Sequence, residues 1–482
     1  MASTDVVRTR TGVYHDSVSL MRVSRAASAL PGVEVAVVAM ATELNLGIAA
    51  ELGFGLPPAD PADLLIALRG EADALEAASA ELDGLLAALS APSTSGGGTE
   101  RPPRTVRAAA RERAAALALV SVPGPYAFAE ALDAVEAGLS VMIFSDNVPV
   151  EQEVLLKRRA AERGVLVMGP DCGTAVVGGA GLGFANVLRP GPVGVVAASG
   201  TGAQQVTCLL DLAGVGVSHV LGVGGRDLSA DVGGLSTLRA LEALDADPAT
   251  ELIVLISKPP APEVARAVEE AVAKLRTPVV TALLGPGRDD LTSVTEAALR
   301  ALGVPVPTWP SWPAPGTSGA GAGLSGLSGS SDAGAGKAGR NVRGIYSGGT
   351  LCVEARLIAG TGEFTDFGDD AYTVGRAHPM IDPTLRLEAL AEVPSGDVVL
   401  LDVVLGHGAD PDPSARLAPA IAEAVARGVT AVVALVGSEG DPQGLAAQAG
   451  ALNAAGAAVF TSNAGAAGYA ARAASGTTTD AR

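Results

Sequence analysis

Lysine occurs only four times in 482 residues, at 157, 258, 274 and 337, histidine four times and cysteine three times, and aromatic residues make up 3% of the chain. Each scarcity excludes something. Cys172, Cys208 and Cys352 are odd in number, far apart and without a CxxC pair, which excludes a Cys-rich zinc site and a disulfide framework and fits a reduced compartment. The histidines at 15, 219, 378 and 407 never fall at HxxxH spacing, so no metal built on paired helical histidines is expected and no metal is assigned. There is no basic run and the formal net charge is −19, against a nucleic-acid grip or an anionic membrane surface. No stretch approaches ~18 consecutive apolar residues. The opening Met1-Ala2-Ser3-Thr4-Asp5 lacks the basic-then-apolar layout of an export signal, and the expected location is the cytoplasm.

What is present is a globular composition, 48% hydrophobic and 18% charged, on a length that suggests three or four domains. Two polar stretches divide it. The first runs from Ala91 to Arg104. The second, Pro313 to Gly339, is dominated by Gly, Ala and Ser and reads as a flexible linker with an r.m.s. span of about 28 Å. Lys337 in this stretch superficially suggests a Walker A loop, but Ser331 and Ala338 stand at two of its defining positions and no strand precedes it, so it is read as linker. Before the first break, Gly12-Val13-Tyr14, Val18 to Leu30 and Val33 to Met40 predict strand, helix, strand in a small α/β module over residues 1–90. From residue 105 onward, apolar runs of four to eight residues alternate with helical patterns, the signature of parallel sheets covered on both faces. They divide into 105–190, 191–305 and, after the linker (313–340), 341–475. The predicted class is α/β, with several doubly wound parallel-sheet modules.

Ligands of open parallel sheets bind beyond the carboxyl ends of the strands. There, Ser199-Gly200-Thr201-Gly202 follows the run Val193 to Ala198 and opens a helix, an arrangement suited to an anion such as phosphate and equally to an ordinary capped turn. Gly222-Val223-Gly224-Gly225-Arg226-Asp227 forms a second glycine-rich loop carrying one cation. Its alternative is a turn with Arg226 and Asp227 paired in solvent. Gly348-Gly349-Thr350 repeats the theme after Val342 to Tyr346. Pro123, Asp171 and Cys172 stand at strand exits as candidate cleft rim, with core packing favoured over nucleophilic work for Cys172. His378 is a candidate general base or carboxylate ligand, or a loop cap. His407 and Asp410 end the run Val398 to Leu405. Asp402, inside that run, needs a partner if buried, and Asp382 completes the rim. Asp366, Asp369 and Asp370 form an acidic run that is either a solvated loop or a divalent-cation ligand set. His219 opens a strand and is read as structural.

Val122-Pro123-Gly124-Pro125, Gly169-Pro170-Asp171-Cys172, Ala198 to Gly202 and Gly222 to Asp227 resemble, in order and approximate spacing, the CoA-binding and ligase modules of succinyl-CoA synthetase alpha subunits over about residues 105–300. Gly406-His407-Gly408 and Gly437-Ser438-Glu439-Gly440 look like the ligase module of the beta subunit. With Gly375-Arg376-Ala377-His378-Pro379-Met380-Ile381-Asp382, the whole chain most resembles the FdrA family. The resemblance implies a Rossmann-like CoA-binding-type module at 105–190 and flavodoxin-like ligase modules at 191–305 and 341–475. It departs from the synthetases in one respect: no histidine lies between His219 and His378, where their phosphate relay would need one. Nor is there room for an ATP-grasp module. The family resemblance implies a subunit of a carbamoyl-transfer enzyme of the oxamate carbamoyltransferase type, in ureide catabolism, with phosphate or carbamoyl phosphate at the glycine-rich loops and Arg226, His378 and His407 as catalytic candidates. The alternatives are a nucleoside-diphosphate-forming acyl-CoA synthetase, with CoA as a further ligand, and a noncatalytic scaffold. Other enzyme subunits are the expected partners.

Overall fold

The computed structural model describes residues 3–13, 15, 17–90, 103–315, 340–373 and 376–476. Tyr14, Gly375, residues 91–102 of the first break and residues 316–339 of the predicted linker, Lys337 included, lie outside the described residues.

The N-terminal module runs β1 (Thr4–Arg10), α1 (Ser17–Ser28), β2 (Val33–Met40), α2 (Glu43–Glu51), β3 (Leu64–Gly70) and α3 (Ala72–Ser90), with an antiparallel sheet in the order β1-β3-β2. The first strand is not Gly12-Val13-Tyr14: Gly12 sits in a turn at φ 70°, and the strand is the polar Thr4-Asp5-Val6-Val7-Arg8-Thr9-Arg10. As an edge strand it leaves charged residues in solvent, so its pattern carries little hydrophobic signal. The central β3 is almost wholly buried and is flanked by apolar clusters on both faces.

The next stretch comprises α4 (Val106–Glu112), β4 (Leu117–Val120), α5 (Gly124–Glu136), β5 (Ser140–Ile143), α6 (Val150–Arg163) and β6 (Val167–Met168), with a parallel sheet β4-β5-β6. The chain then turns through Asp171, a non-glycine residue at φ 56°, into the hairpin β7 (Thr174–Val177) and β8 (Ala180–Gly183). That hairpin joins the following sheet through an antiparallel β7–β10 pairing.

Two six-stranded sheets follow. The first, ordered β12-β11-β9-β10-β7-β8, is built from β9 (Pro190–Ala197), α7 (Gly200–Leu212), β10 (Val217–Gly222), α8 (Leu235–Ala246), β11 (Leu252–Ser257), α9 (Pro262–Val272), β12 (Val279–Leu283) and α10 (Leu291–Ala301). The second, ordered β13-β18-β17-β16-β14-β15, takes in β13 (Ser311–Trp312), β14 (Val342–Tyr346), α11 (Gly349–Ala359), β15 (Glu363–Asp366), α12 (Asp370–Thr373), α13 (Thr384–Ala391), β16 (Val398–Val404), α14 (Pro413–Ala426), β17 (Thr430–Val436), α15 (Leu445–Ala454), β18 (Ala458–Phe460) and α16 (Asn463–Ser475). Every residue of β11 and of β16 is buried, which is why both read as unbroken apolar runs.

The two large sheets share one core, in which Val195, Leu210, Leu291 and Val294 of the first pack with Tyr346, Leu351, Leu400 and Ala466 of the second. Polar contacts tie the same faces: Gln205 Nε2 donates to the Thr461 carbonyl at 3.0 Å, the Leu291 N–H donates to Glu354 Oε1 at 2.6 Å, and Asn186 Nδ2 donates to Asp441 Oδ2 at 2.7 Å. The segment ahead of the predicted linker already sits on the second sheet, since β13 pairs with β18 and Asn453 Nδ2 donates to the Pro313 carbonyl at 2.7 Å. Packing between the two sheets therefore docks them. No helix among the described residues is long and apolar enough to cross a membrane.

Candidate functional site

Two helices meet here at their N-termini. Ser199 caps α7, its Oγ accepting from the Gly202 N–H at 2.9 Å and donating to Thr350 Oγ1, on the first turn of α11, at 2.6 Å. The approach is close because Gly348 is a glycine: a Cβ there would stand 2.6 Å from Thr201 Oγ1. Free N–H groups and positive dipole ends of both helices thus converge on one cavity of about 1670 Å³, lined among others by Ser199, Gly200, Thr201, Gly348, Gly349 and Thr350.

Lys258, on the loop just past the carboxyl end of β11, also lines this cavity, with Nζ 3.2 Å from the position a Cβ on Gly349 would take. Among the described residues it has no ion-pair or hydrogen-bond partner. An ammonium beside two positive helix ends favours an anion, and the carboxyls of Asp366 and Asp171 lie within its field. The sequence reasoning missed Lys258; its place directly after an apolar strand, in a chain with four lysines, is the signal that could have found it.

Carboxyl groups line the same cavity, and Asp366 Oδ2 lies 2.5 Å from the position of a Cβ on Gly349 that Lys258 Nζ also approaches. Asp171 opens onto the cavity, yet surrounding atoms crowd it closely enough that burial, helped by Asp146 and Asp370, pushes its carboxyl up to about 7 against the opposing pull of Lys258 and Arg226. Burial likewise lifts Asp366 to about 6, while the Gly368 N–H donates to it at 2.9 Å. Asp366, Asp369 and Asp370 all line the cavity, Asp366 half-buried and Asp369 and Asp370 exposed as a solvated loop would have them, and no group of three or more metal-ligating side chains forms among the described residues.

His378 lines the cavity with its ring 5.5 Å from that of Phe184. Its Nδ1 accepts from the Met380 N–H at 3.2 Å, and burial together with the Arg386 guanidinium lowers its pKa to about 4. The general-base reading fails on that lone pair, which the backbone already occupies. Arg226 reaches the cavity half-exposed, but it is paired to Glu153 (Nη2–Oε2 2.9 Å) and donates to the Val148 carbonyl at 2.8 Å, so it does not pair with Asp227. Pro123, Gly224, Gly225 and Asp382 line the cavity, Asp382 held by Arg416 at 2.7 Å. Cys172 lines it too, but is 2% exposed with its thiol pushed up to about 12 by burial, which removes the nucleophile reading.

Three candidates stand elsewhere. Asp227 is fully buried beneath its loop, where it accepts from Lys157 Nζ at 2.7 Å and from the N–H and Oγ1 of Thr237. Asp402 is fully buried against Arg386 at 3.0 Å and accepts from the Ser347 N–H at 2.7 Å, bracing the strand end that leads into α11. His407 is exposed and outside the cavity; its backbone pairs with Ala185, closing the seam between the two large sheets. Gly202 spends its N–H on the Ser199 cap.

The N-terminal module forms the remaining wall. Met21, Ser24 and Arg25 of α1 line the cavity, and Arg25 donates from Nη1 to the Ile381 carbonyl at 2.7 Å and pairs through Nη2 with Asp410 at 3.0 Å. Nothing in the sequence signals this contact, because it exists only once separate modules dock.

Three family models match the chain: AllF, heavy metal-associated domain, at residues 2–103; CoA binding domain at 189–283; and CoA-ligase at 345–473. The CoA-binding match thus falls on the first six-stranded sheet. The residues of the N-terminal module do not fit a heavy metal, since positions 1–103 contain no cysteine. The chain is 38% identical to YahF of Escherichia coli (strain K12), over 90% of this chain and 92% of that protein. It is 31% identical to the succinate–CoA ligase [ADP-forming] subunit alpha 2 of Archaeoglobus fulgidus over 32% of this chain, and spans about half (54%) of that relative's length. Among solved structures, the dinucleotide-forming acetyl-coenzyme A synthetase 1 of Ca. Korarchaeum cryptofilum overlays with a TM-score of 0.30 at 17% identity, covering 77% of this chain and 84% of that one. With a CoA-binding and a CoA-ligase module behind its N-terminal module, and a relative matched along nine-tenths of its length, the chain belongs to the FdrA family of succinyl-CoA synthetase-like proteins.

Proposed function

We propose that the cavity holds a tetrahedral oxyanion between the N-termini of α7 and α11 and transfers an acyl-type group between that anion and a second small acceptor. One observation carries the reading: the N-termini of α7 and α11, the first capped by Ser199, and Lys258 line one cavity. The relatives support an acid–CoA ligase as the first form of this chemistry, with phosphate as the anion, an acyl phosphate as the intermediate and CoA as acceptor.

A second form, carbamoyl transfer, is favoured by the lack of any histidine between His219 and His378, where the synthetases' phosphate relay would need one, and by the occupied Nδ1 of His378. In that reaction a phosphate oxygen attacks the carbamoyl carbon of oxalurate, the bond from that carbon to the oxamyl nitrogen breaks, and a proton passes from phosphate to the leaving nitrogen, giving carbamoyl phosphate and oxamate. Asp171, held near neutrality, is suited to relay that proton.

The test is a thermal-stability screen of the full chain against inorganic phosphate, followed by turnover assays with carbamoyl phosphate plus oxamate and with ATP, CoA and succinate. Phosphate raises Tm, and Lys258→Met weakens phosphate binding at least about tenfold, roughly 1.4 kcal/mol. The absence of phosphate protection, or protection untouched by Lys258→Met, sinks the anion site. Release of phosphate in the first assay selects carbamoyl transfer, and ADP formation in the second selects the ligase.

A further inference from the structure

We propose that His378 serves this site as a fixed hydrogen-bond donor, presenting Nε2–H to an oxygen of the bound acyl or phosphoryl group. The inference rests on the anion-site reading and adds to it the group that recognises the second oxygen. A neutral imidazole has one N–H and one lone pair, and which nitrogen carries the proton follows from what the other one does. Here Nδ1 accepts from the Met380 N–H at 3.2 Å, so the lone pair is spent and Nε2 carries the hydrogen. The Ile381 and Asp382 N–H groups both donate to the His378 carbonyl, at 2.7 and 3.0 Å, which fixes the turn that places the ring. Phe184, contributed by the first large sheet, flanks the ring from the other module.

Nε2 approaches Gly368, standing 2.9 Å from the position of a Cβ there, and has no hydrogen-bond partner among the described residues. A side chain at 368 would meet Nε2, the Ser347 carbonyl and Asp366 Oδ1, and both Gly368 and His378 line the cavity. The charged groups around the ring keep it neutral in different ways: Arg386 on α13 repels a second positive charge, Asp402 on β16 is already paired to Arg386, and Asp366 at the end of β15 is itself lifted toward neutrality by burial. A phosphoryl group could not settle on Nε2 without moving its proton to Nδ1 and breaking the Met380 contact. The geometry therefore suits donation and opposes covalent catalysis.

The test reads the ring directly. Full-length protein labelled with 15N-histidine carries four imidazoles, each assigned by its own His→Gln substitution. His378 is expected to show a protonated Nε2 and a bare Nδ1, with both signals constant between pH 8 and pH 5.5, and its Nε2 signal is expected to shift on saturation with inorganic phosphate or with oxamate. A His378 that titrates near 6.5, that carries its proton on Nδ1, or that ignores both saturating ligands overturns the proposal while leaving the anion site intact. If neither ligand raises the Tm of the wild-type chain, the anion-site reading and the proposal fall together. A second measurement guards against a purely structural role: glutamine, whose amide nitrogen reaches about as far as Nε2, should keep ligand affinity within about threefold, whereas asparagine should lose at least tenfold. Equal losses in the two variants, or none in either, contradict donation from Nε2.

Discussion

Asp171 and Lys258 line the same cavity and interact through charge, so the proton on the first affects how strongly the second attracts an anion. Burial raises the Asp171 carboxyl to about 7, so below that pH it is neutral and above it a negative charge faces the incoming ligand. Sulfate, which does not titrate in this range, should therefore stabilise the chain more at pH 6 than at pH 8. Asp171→Asn should make the sulfate-induced Tm shift large and equal at both values; a wild-type shift that grows with pH contradicts the assignment. Cys172, one residue on, shows how identity alone misleads, since the same backbone turn that opens Asp171 onto the cavity buries the thiol.

At the scale of elements, the paired helix N-termini depend on the missing side chain at 348. Gly348→Ala would drive a Cβ to within 2.6–2.8 Å of three Thr201 side-chain atoms, and such overpacking typically destabilises by about 1–3 kcal/mol. Thr201→Gly should recover a substantial part of that loss, and a denaturation double-mutant cycle measures the coupling; strict additivity would show that the two helices do not meet as described. The loop over β10 depends instead on a buried ion network, in which Lys157 Nζ contacts Glu153 at 2.8 Å, Asp227 at 2.7 Å and the Val223 carbonyl at 3.0 Å. Asp227→Ala leaves a fully buried ammonium with one carboxylate fewer and strips the acceptor from the first turn of α8, so a loss of about 3–5 kcal/mol is expected in urea unfolding. Exchanging Lys157 and Asp227 together for Met and Leu should be milder than the single change.

Over the whole molecule, Arg25 of the N-terminal module reaches across to the second large sheet's module. Asp410 is 4% exposed and its cationic partner is Arg25, 385 residues away in sequence. Arg25→Ala should loosen the module without unfolding the two large sheets, seen as faster hydrogen exchange in α1 and β2 with unchanged protection in β11 and β16. Uniform protection in all four elements would mean that the module is held by other contacts and that Arg25 is incidental.

The fold class was legible in the chain because it depends on local periodicity: unbroken apolar runs such as Leu252 to Ile256 and Val398 to Leu405, separated by helical patterns, allow few outcomes other than parallel sheets. The strand-to-helix turns at Ser199 and Gly348 were legible for the same reason, since capping hydroxyls and glycines at strand exits act through their own backbone. Edge strands were not, because β1 and β15 are half in solvent and need no apolar pattern. What only the tertiary structure decided is which charges face each other. The pairing of Arg226 with Glu153, the burial of Asp227 and Asp402, the removal of His407 to a seam, the freedom of Lys258 and the orientation of His378 all arise from contacts between distant segments, and a charge's partner and solvation are properties of the folded space around it.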